Sequence, residues 1–305
     1  MRIGTRRSAL ALAQARQVGE LLEGARGERI EIVPLATSGD RGVMDGDKSR
    51  WVAELEQGLS SRELDLAVHS AKDVPGELLE GLELLGTPKR AAVQDVLCGA
   101  AGVEVLRSGA RVGSSSIRRA AQLRSARGDV SVVAMRGNVD SRLRKLADPD
   151  SDLDAIVLAR AGLERLQLQD RIGAVLDLER FVPAPGQGIL ALEGRAEDTR
   201  ARAAAEAITD ADTFACLSAE RALARELNAD CHTPLGACAV PAGCGCLDLR
   251  AWVGLPDGSA WASDELLGGF YEPQELGRRV AERLGLAGAG EMLTRAEEMA
   301  RVGDA

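Results

Sequence analysis

Four short segments concentrate side chains that could do chemistry. Thr5-Arg6-Arg7-Ser8, Ser114-Ser115-Ser116-Ile117-Arg118-Arg119 and Arg136-Gly137-Asn138 with Arg142 combine hydroxyls with guanidinium groups. Guanidinium forks, hydroxyls and the backbone amides of a helix start together make a carboxylate or phosphate site. Any one pair reads more readily as solvated arginines and ordinary serine caps; the coincidence of several is what points to an anionic ligand with several carboxylates. The fourth segment, His69-Ser70-Ala71-Lys72-Asp73-Val74-Pro75, sets an acid among bases. Asp73 could simply cap a turn ahead of Val74-Pro75. It could equally hold pyrrole-like or amine N–H groups and stabilise a transient cation. Lys72 beside it could lower the Asp73 pKa or hold a substrate carboxylate.

The histidines and cysteines narrow the chemistry less. His69 and His232 are the only histidines, and no Gly-x-Ser-x-Gly elbow accompanies them. A hydrogen-bonded structural role is therefore expected of His69. Cys231 lies in Asn228-Ala229-Asp230-Cys231-His232-Thr233-Pro234-Leu235-Gly236. It could be a small buried apolar residue, a ligand to zinc with His232, Cys238, Cys244 and Cys246, or a thiol that forms a covalent bond. The spacings lack paired CxxC knuckles, and they do not choose among the other readings.

These residues follow apolar runs that read as strands. Residues 2–5 and 30–35 predict strands around a helix over 9–23 that Ser8 caps, and residues 51–59 predict a further helix. The run at 64–68 has the continuous apolar character of a buried parallel strand. Strand–helix units recur at 110–113, 130–135 and 153–159, each followed by a helix. Such βα repeats imply mainly parallel sheets with helices on both faces and ligands at the carboxyl ends of the strands. From about residue 205 the style changes to two helices, antiparallel strands with a turn at Pro256-Asp257-Gly258, a closing helix over 273–284 and a polar tail. That pattern predicts a small α+β domain. Pro183-Ala184-Pro185-Gly186-Gln187-Gly188 reads as a crossover between lobes.

The chain has 305 residues, a net charge of −9 and 45% hydrophobic residues, enough for two or three domains of ~100–200 residues each. No apolar run approaches the ~18 residues of a membrane span, and the start of the sequence carries no cleavage-like signal. The six cysteines are accordingly expected to be reduced thiols in a cytoplasm. An acidic chain with 2% aromatic residues is a poor candidate for nucleic acid, which rewards a basic face and stacking rings.

Taken in order, the motifs resemble the hydroxymethylbilane synthase (porphobilinogen deaminase) family over nearly the whole chain. They are Gly4-Thr5-Arg6-Arg7-Ser8 with Ala11-Leu12-Ala13-Gln14-Ala15, the 69–75 segment, Gly113 through Arg119, Arg136-Gly137-Asn138-Val139 with Arg142, Ala161-Gly162-Leu163, the 183–188 segment and Cys231-His232-Thr233-Pro234-Leu235-Gly236. The resemblance implies a cytoplasmic, monomeric transferase that condenses four porphobilinogen molecules head to tail, releasing ammonia at each step, and finally releases a linear tetrapyrrole by hydrolysis. It implies a dipyrromethane cofactor, joined by a thioether to Cys231, as the primer, and no metal, membrane or nucleic acid. Asp73 would be catalytic, holding pyrrole nitrogens against an azafulvenium-like cation. Arg6, Ser8, Ser70, Lys72, Ser114, Ser115, Ser116, Arg118, Arg119, Arg136, Arg142 and Arg165 would bind the acetate and propionate groups of substrate and cofactor. The implied fold is α/β: two lobes like those of periplasmic binding proteins plus the C-terminal α+β domain. Its divisions are 1–88 with 189–205, 89–188, and 206–305. The chain departs from the family at residues 40–52, where a longer glycine- and lysine-containing loop is usual and Trp51 takes the aromatic position.

Overall fold

The computed structural model describes residues 1–35, 49–230, 233–243 and 245–303. Cys231, His232, Cys244 and most of the 40–52 segment lie outside the described residues. The chain divides into two compact units: Met1–Ala91 with Gly188–Leu217, and Ala92–Gln187 with Ser218–Ala305.

The first unit is built on one five-stranded sheet. Its strands are β1 (Arg2–Arg6), β2 (Glu31–Leu35), β3 (Leu66–Ser70), β4 (Leu82–Gly86) and β10 (Leu190–Arg195), in the order β2-β1-β3-β10-β4. β1 is parallel to β2 and β3, whereas β10 is antiparallel to β3 and β4. Both faces are covered, as the apolar runs require. Ile3, Leu66, Val68, Leu190 and Leu192 pack with Val18 and Leu22 of α1 (Ala9–Arg26) and with Ala201 and Ala204 of α6 (Thr199–Ala207). On the other side Ala67 and Leu64 meet Leu55 and Leu59 of α2 (Ser49–Ser60).

The second unit holds two sheets. The larger contains β5 (Asp95–Cys98), β6 (Arg111–Gly113), β7 (Ser131–Val133), β8 (Ala155–Ala159) and β9 (Ala174–Val175), in the order β7-β6-β8-β5-β9. Alternate residues along β5 and β8 enter opposite cores. Leu97, Ala155 and Val157 pack with Leu123 of α3 (Ile117–Ala126), while Val96, Cys98, Ile156 and Leu158 pack with Leu143 of α4 (Val139–Ala147) and Leu163 of α5 (Arg160–Arg165). The smaller sheet is the antiparallel meander β11 (Leu235–Pro241), β12 (Cys246–Gly254) and β13 (Trp261–Gly269). It follows α7 (Ala211–Glu226) and is covered by α8 (Pro273–Leu286) and α9 (Ala289–Gly303).

Two sequence expectations change. The five-stranded sheets are mixed, because β5 and β10, unassigned from the sequence, each insert antiparallel next to the third parallel strand. Both strands lie at crossovers between the units rather than inside a βα repeat, so the repeat pattern does not announce them. The polar tail is also helical: Ala289 and Ala296 of α9 are buried, a sparse apolar stripe that the surrounding charges obscure.

The small sheet is seated on the larger one through α3. Ala121, Val182, Cys238 and Trp252 form a shared apolar cluster, and Arg124 donates to the Pro256 carbonyl at 2.6 Å. Gly258, in the Pro256-Asp257-Gly258 turn, has φ +76° and presses its backbone against Ser125, where a Cβ would come within 2.5 Å of the Ser125 nitrogen. Gly236 lies equally close to Val182: a Cβ there would meet the Val182 carbonyl at 2.6 Å. Gly236→Ala is therefore expected to force β11 off the 182–187 segment and to cost about 1–3 kcal/mol, the usual effect of overpacking. Chemical denaturation measures it, and an unchanged midpoint would contradict the seating.

Candidate active site

In each five-stranded sheet the candidate residues follow the carboxyl ends of the parallel strands, where the backbone turns into the next helix. In the first unit, β1 delivers Arg6 and then the cap of α1. Thr5 Oγ1 donates to the Ala11 carbonyl at 3.1 Å, and Ser8 Oγ accepts from Ala11 N–H at 3.2 Å. These two bonds fix the turn that carries the half-buried Arg6. β3 ends in Ser70 and runs directly into a 3-10 turn, Ala71–Asp73. Ala71 N–H donates to Ile189 O at 3.0 Å and Val74 N–H to Ala71 O at 3.2 Å. Ala71 and Val74 are buried with Ile189, Ala191 and Leu217. The turn is thus anchored on both sides, leaving Ser70, Lys72 and Asp73 half-buried.

His69, expected to be hydrogen-bonded and structural, is buried against a carboxylate, and its Nε2 has no hydrogen-bond partner among the described residues. It is buried in β3, and its Nε2 lies 2.7 Å from Glu193 Oε2 on the neighbouring strand β10, a carboxylate with no exposed side-chain surface. Glu193 in turn acts on Glu56, whose carboxyl pKa is raised first by burial and then by that charge.

In the second unit, the three serines after β6 build the start of α3. Ser114 Oγ accepts from Ser116 N–H at 3.2 Å, Ser115 Oγ from Met135 N–H at 2.8 Å, and Ser116 Oγ from Arg119 N–H at 3.4 Å as the helix cap. A hydroxyl that accepts in this way still carries a proton to donate, which suits an anion. α3 is ten residues long, and its first turn presents further backbone donors and the positive end of its dipole.

The arginines sort into distinct environments. Arg118 and Arg119 are buried, 4% and 8% exposed, and both reach Asp95, which is 1% exposed. Arg118 Nη2 lies 2.8 Å from Asp95 Oδ2, and its Nη1 donates to Gln122 Oε1 at 2.9 Å and Val182 O at 2.8 Å. Arg119 Nη2 lies 2.7 Å from Asp95 Oδ1, and its Nη1 donates to Val157 O at 3.2 Å. Burial alone would raise the Asp95 pKa; the charges of Arg118 and Arg119 overcome it and hold the carboxyl well below the ordinary range. Arg142 is half-buried, and burial followed by the nearby Arg119 charge lowers its pKa. Burial pushes Arg165 down to about 10, against the partial support of Glu164. Arg136 is exposed.

This donor set fits a polycarboxylate. It gathers two buried guanidinium groups on a single carboxylate, with the half-buried Arg142 close enough to feel the charge of Arg119, and the Nε atoms of Arg118 and Arg119 are buried without a hydrogen-bond partner among the described residues. Ser114, Ser115, Ser116, Arg119, Arg136, Arg142 and Arg165 are the residues here that could hold the acetate and propionate groups of a dipyrromethane. Sequence reasoning missed Asp95. Its signal was a lone acid entering the apolar run Val96-Leu97, where an unpaired carboxylate would not be buried.

The environments separate Arg118 from Arg136 in stability. Arg118→Gln removes one of two counter-charges from a buried carboxylate, with an expected loss of about 3–5 kcal/mol. Arg136→Gln, at an exposed position, should stay within about 0.5 kcal/mol. Urea denaturation of both variants checks this, and equal losses would contradict the assignment.

Comparison with known proteins bears on what the set serves. Residues 1–203 match the family model "Porphobilinogen deaminase, dipyromethane cofactor binding domain", and residues 214–285 match "Porphobilinogen deaminase, C-terminal domain". Porphobilinogen deaminase of Brevibacillus brevis is 41% identical over 301 residues, 96% of each chain. That of Thermus thermophilus is 42% identical over 294 residues, covering 95% of this chain and 97% of the relative. Among solved structures, the methionine-binding protein MetQ aligns over 70% of this chain and 91% of its own with a TM-score of 0.45 and 11% identity. Two domain matches in order, together with full-length relatives above 40% identity, place the chain in the porphobilinogen deaminase family.

Proposed function

We propose that this protein is a transferase of tetrapyrrole biosynthesis that condenses four porphobilinogen molecules and releases hydroxymethylbilane. The match of both family domains in order along the chain carries this reading, and the desolvated arginines of the second unit support it physically. The dipyrromethane cofactor supplies, when bound, the free pyrrole carbon that takes up the first incoming unit. Each addition breaks the aminomethyl C–N bond of porphobilinogen, releases ammonia, forms a C–C bond and loses the proton of the attacked carbon; water ends the series.

The residues divide these tasks. Cys231 carries the cofactor through a thioether, a bond that a soft sulfur forms readily with an electrophilic methylene and that resists hydrolysis. Asp73 accepts pyrrole N–H groups on its carboxylate and offsets the positive charge that develops as ammonia leaves. Arg6, Ser8, Ser70 and Lys72 hold acetate and propionate groups in the first unit. Ser114, Ser115, Ser116, Arg119, Arg136, Arg142 and Arg165 do so in the second, with Arg118 bracing them. A concentrated set of arginines lets a chain of net charge −9 attract a polyanion. The three sheets support a reading in three domains, 1–88 with 189–205, 89–188, and 206–305. We take the protein to be a cytoplasmic monomer, and its acidic charge supports a small-molecule rather than a nucleic-acid partner. Among the described residues no helix is long and apolar enough to cross a membrane.

Intact-mass spectrometry tests the covalent claim. The purified chain should be heavier than its sequence by one dipyrrole, and Cys231→Ser should lack that mass. An unmodified wild-type chain would refute it and leave a binding protein without chemistry. Asp73→Ala should lower turnover by at least ~10²-fold, the lower range for loss of an acid–base group, with an unchanged thermal midpoint. Near-normal turnover would remove Asp73 from the mechanism.

A further inference from the structure

Asp95 takes no part in the chemistry above, yet it is the one carboxylate within reach of the Arg118–Arg119 pair among the contacts described. Its two oxygens are divided. Oδ2 receives Arg118 at 2.8 Å, while Oδ1 receives Arg119 at 2.7 Å and Gln187 Nε2 at 2.9 Å. Gln187 also donates to Val93 O at 2.7 Å, so the carboxylate is held from the crossover as well as from α3. Arg118 is committed on three sides, to Asp95, Gln122 and the Val182 carbonyl. Arg119 makes fewer internal bonds and is the charge that Arg142 senses. Arg142 holds the Gly137 carbonyl through Nε at 2.8 Å. Two guanidiniums to one buried carboxylate leave one positive charge in surplus, and Arg142 adds another beside it. Like charges drawn together under burial are disfavoured until an anion joins them.

We infer that Asp95 is a positioning residue that divides the arginine pair, making Arg118 an internal brace of the 182–187 segment and holding Arg119 where, with Arg142, it receives a carboxylate of the pyrrole chain. This inference rests on the assignment of Arg119 and Arg142 as carboxylate holders. A carboxylate near an anion site repels the ligand, so if Asp95 were only a counter-ion, removing its charge would tighten binding. If it positions Arg119, removing the charge weakens binding.

The test uses the full-length chain carrying Cys231→Ser, so that binding is read apart from covalent attachment. The probe is a pyrrole that bears the acetate and propionate groups but no aminomethyl group, titrated by calorimetry. Asp95→Asn should weaken the probe about 10-fold, the scale of one hydrogen bond to a charged group, and Arg142→Gln should weaken it by a similar factor. Unchanged or tighter binding in Asp95→Asn, with Arg142→Gln weakened, would overturn the role of Asp95 alone. No binding to the parent chain, or no effect of Arg142→Gln, would overturn the carboxylate assignment and this inference with it. Should Asp95→Asn fail to fold, Gln187→Met removes one donor from Oδ1 without altering charge. It should weaken the probe about 2–3-fold, and unaltered affinity would overturn the inference.

Discussion

A buried carboxylate shared by two guanidiniums is the constraint around which the second unit is organised. Desolvating Arg118, Arg119 and Asp95 is costly, and close geometry with further hydrogen bonds to the terminal guanidinium nitrogens and the carboxylate offsets much of that cost. The surrounding structure supplies those partners from far along the chain: Gln122 one turn further in α3, Val157 in the central strand β8, and Val182 and Gln187 in the crossover. The same bonds that neutralise the charge therefore fix the start of α3 against β8 and against the returning chain. That start carries Ser114, Ser115 and Ser116. Their hydroxyl oxygens are already occupied by backbone N–H groups, so their orientation is set before any ligand arrives. Preorganised donors of this kind lose little entropy on binding.

Parallel strands explain why the candidate residues gather at all. β1 and β3 point the same way, as do β6, β7 and β8, so their following turns share one edge of each sheet. Both five-stranded sheets then insert an antiparallel strand beside the third parallel one, β10 in the first and β5 in the second. Each inserted strand carries a buried acid in its sheet, Glu193 facing His69 and Asp95 facing the arginine pair. Their registers differ: Glu193 lies opposite Ala67, three residues before the end of β3, whereas Asp95 lies opposite Ala159, the last residue of β8. Glu193 lies beside the strand that ends at Ser70, and Asp95 opens the strand paired with Ala159 of β8.

How much of this could be read from the sequence depended on whether local chemistry or long-range pairing decides the structure. Ser8 announced its helix because capping is a local matter, settled within three residues. Pro256-Asp257-Gly258 announced its turn because the positive φ of Gly258 is a local demand. The βα repeats and the site segments at their ends were legible for the same reason. β5 and β10 were not, since nothing within a four- or six-residue apolar run states that its partner is antiparallel and more than fifty residues away. The different partners of Arg118 and Arg119 were also hidden. Adjacent on a helix, both look alike in the sequence, and only the structure shows that Arg118 reaches Gln122 and Val182 while Arg119 reaches Val157.

The acidic character of the whole chain acquires a function from this arrangement. Charges at the surface are screened within about 8–10 Å at ordinary ionic strength, whereas the half-buried guanidiniums of Arg142 and Arg165 are screened far less. Burial lowers the pKa of each, which is the signature of positive charge held partly out of water. On the proposed function, a polycarboxylate would be repelled weakly by the surface at large and attracted by these desolvated arginines. Under that proposal, specificity for a ligand with several carboxylates would follow from number and position: a monoanion would satisfy only part of the surplus charge that the buried pair and Arg142 hold together.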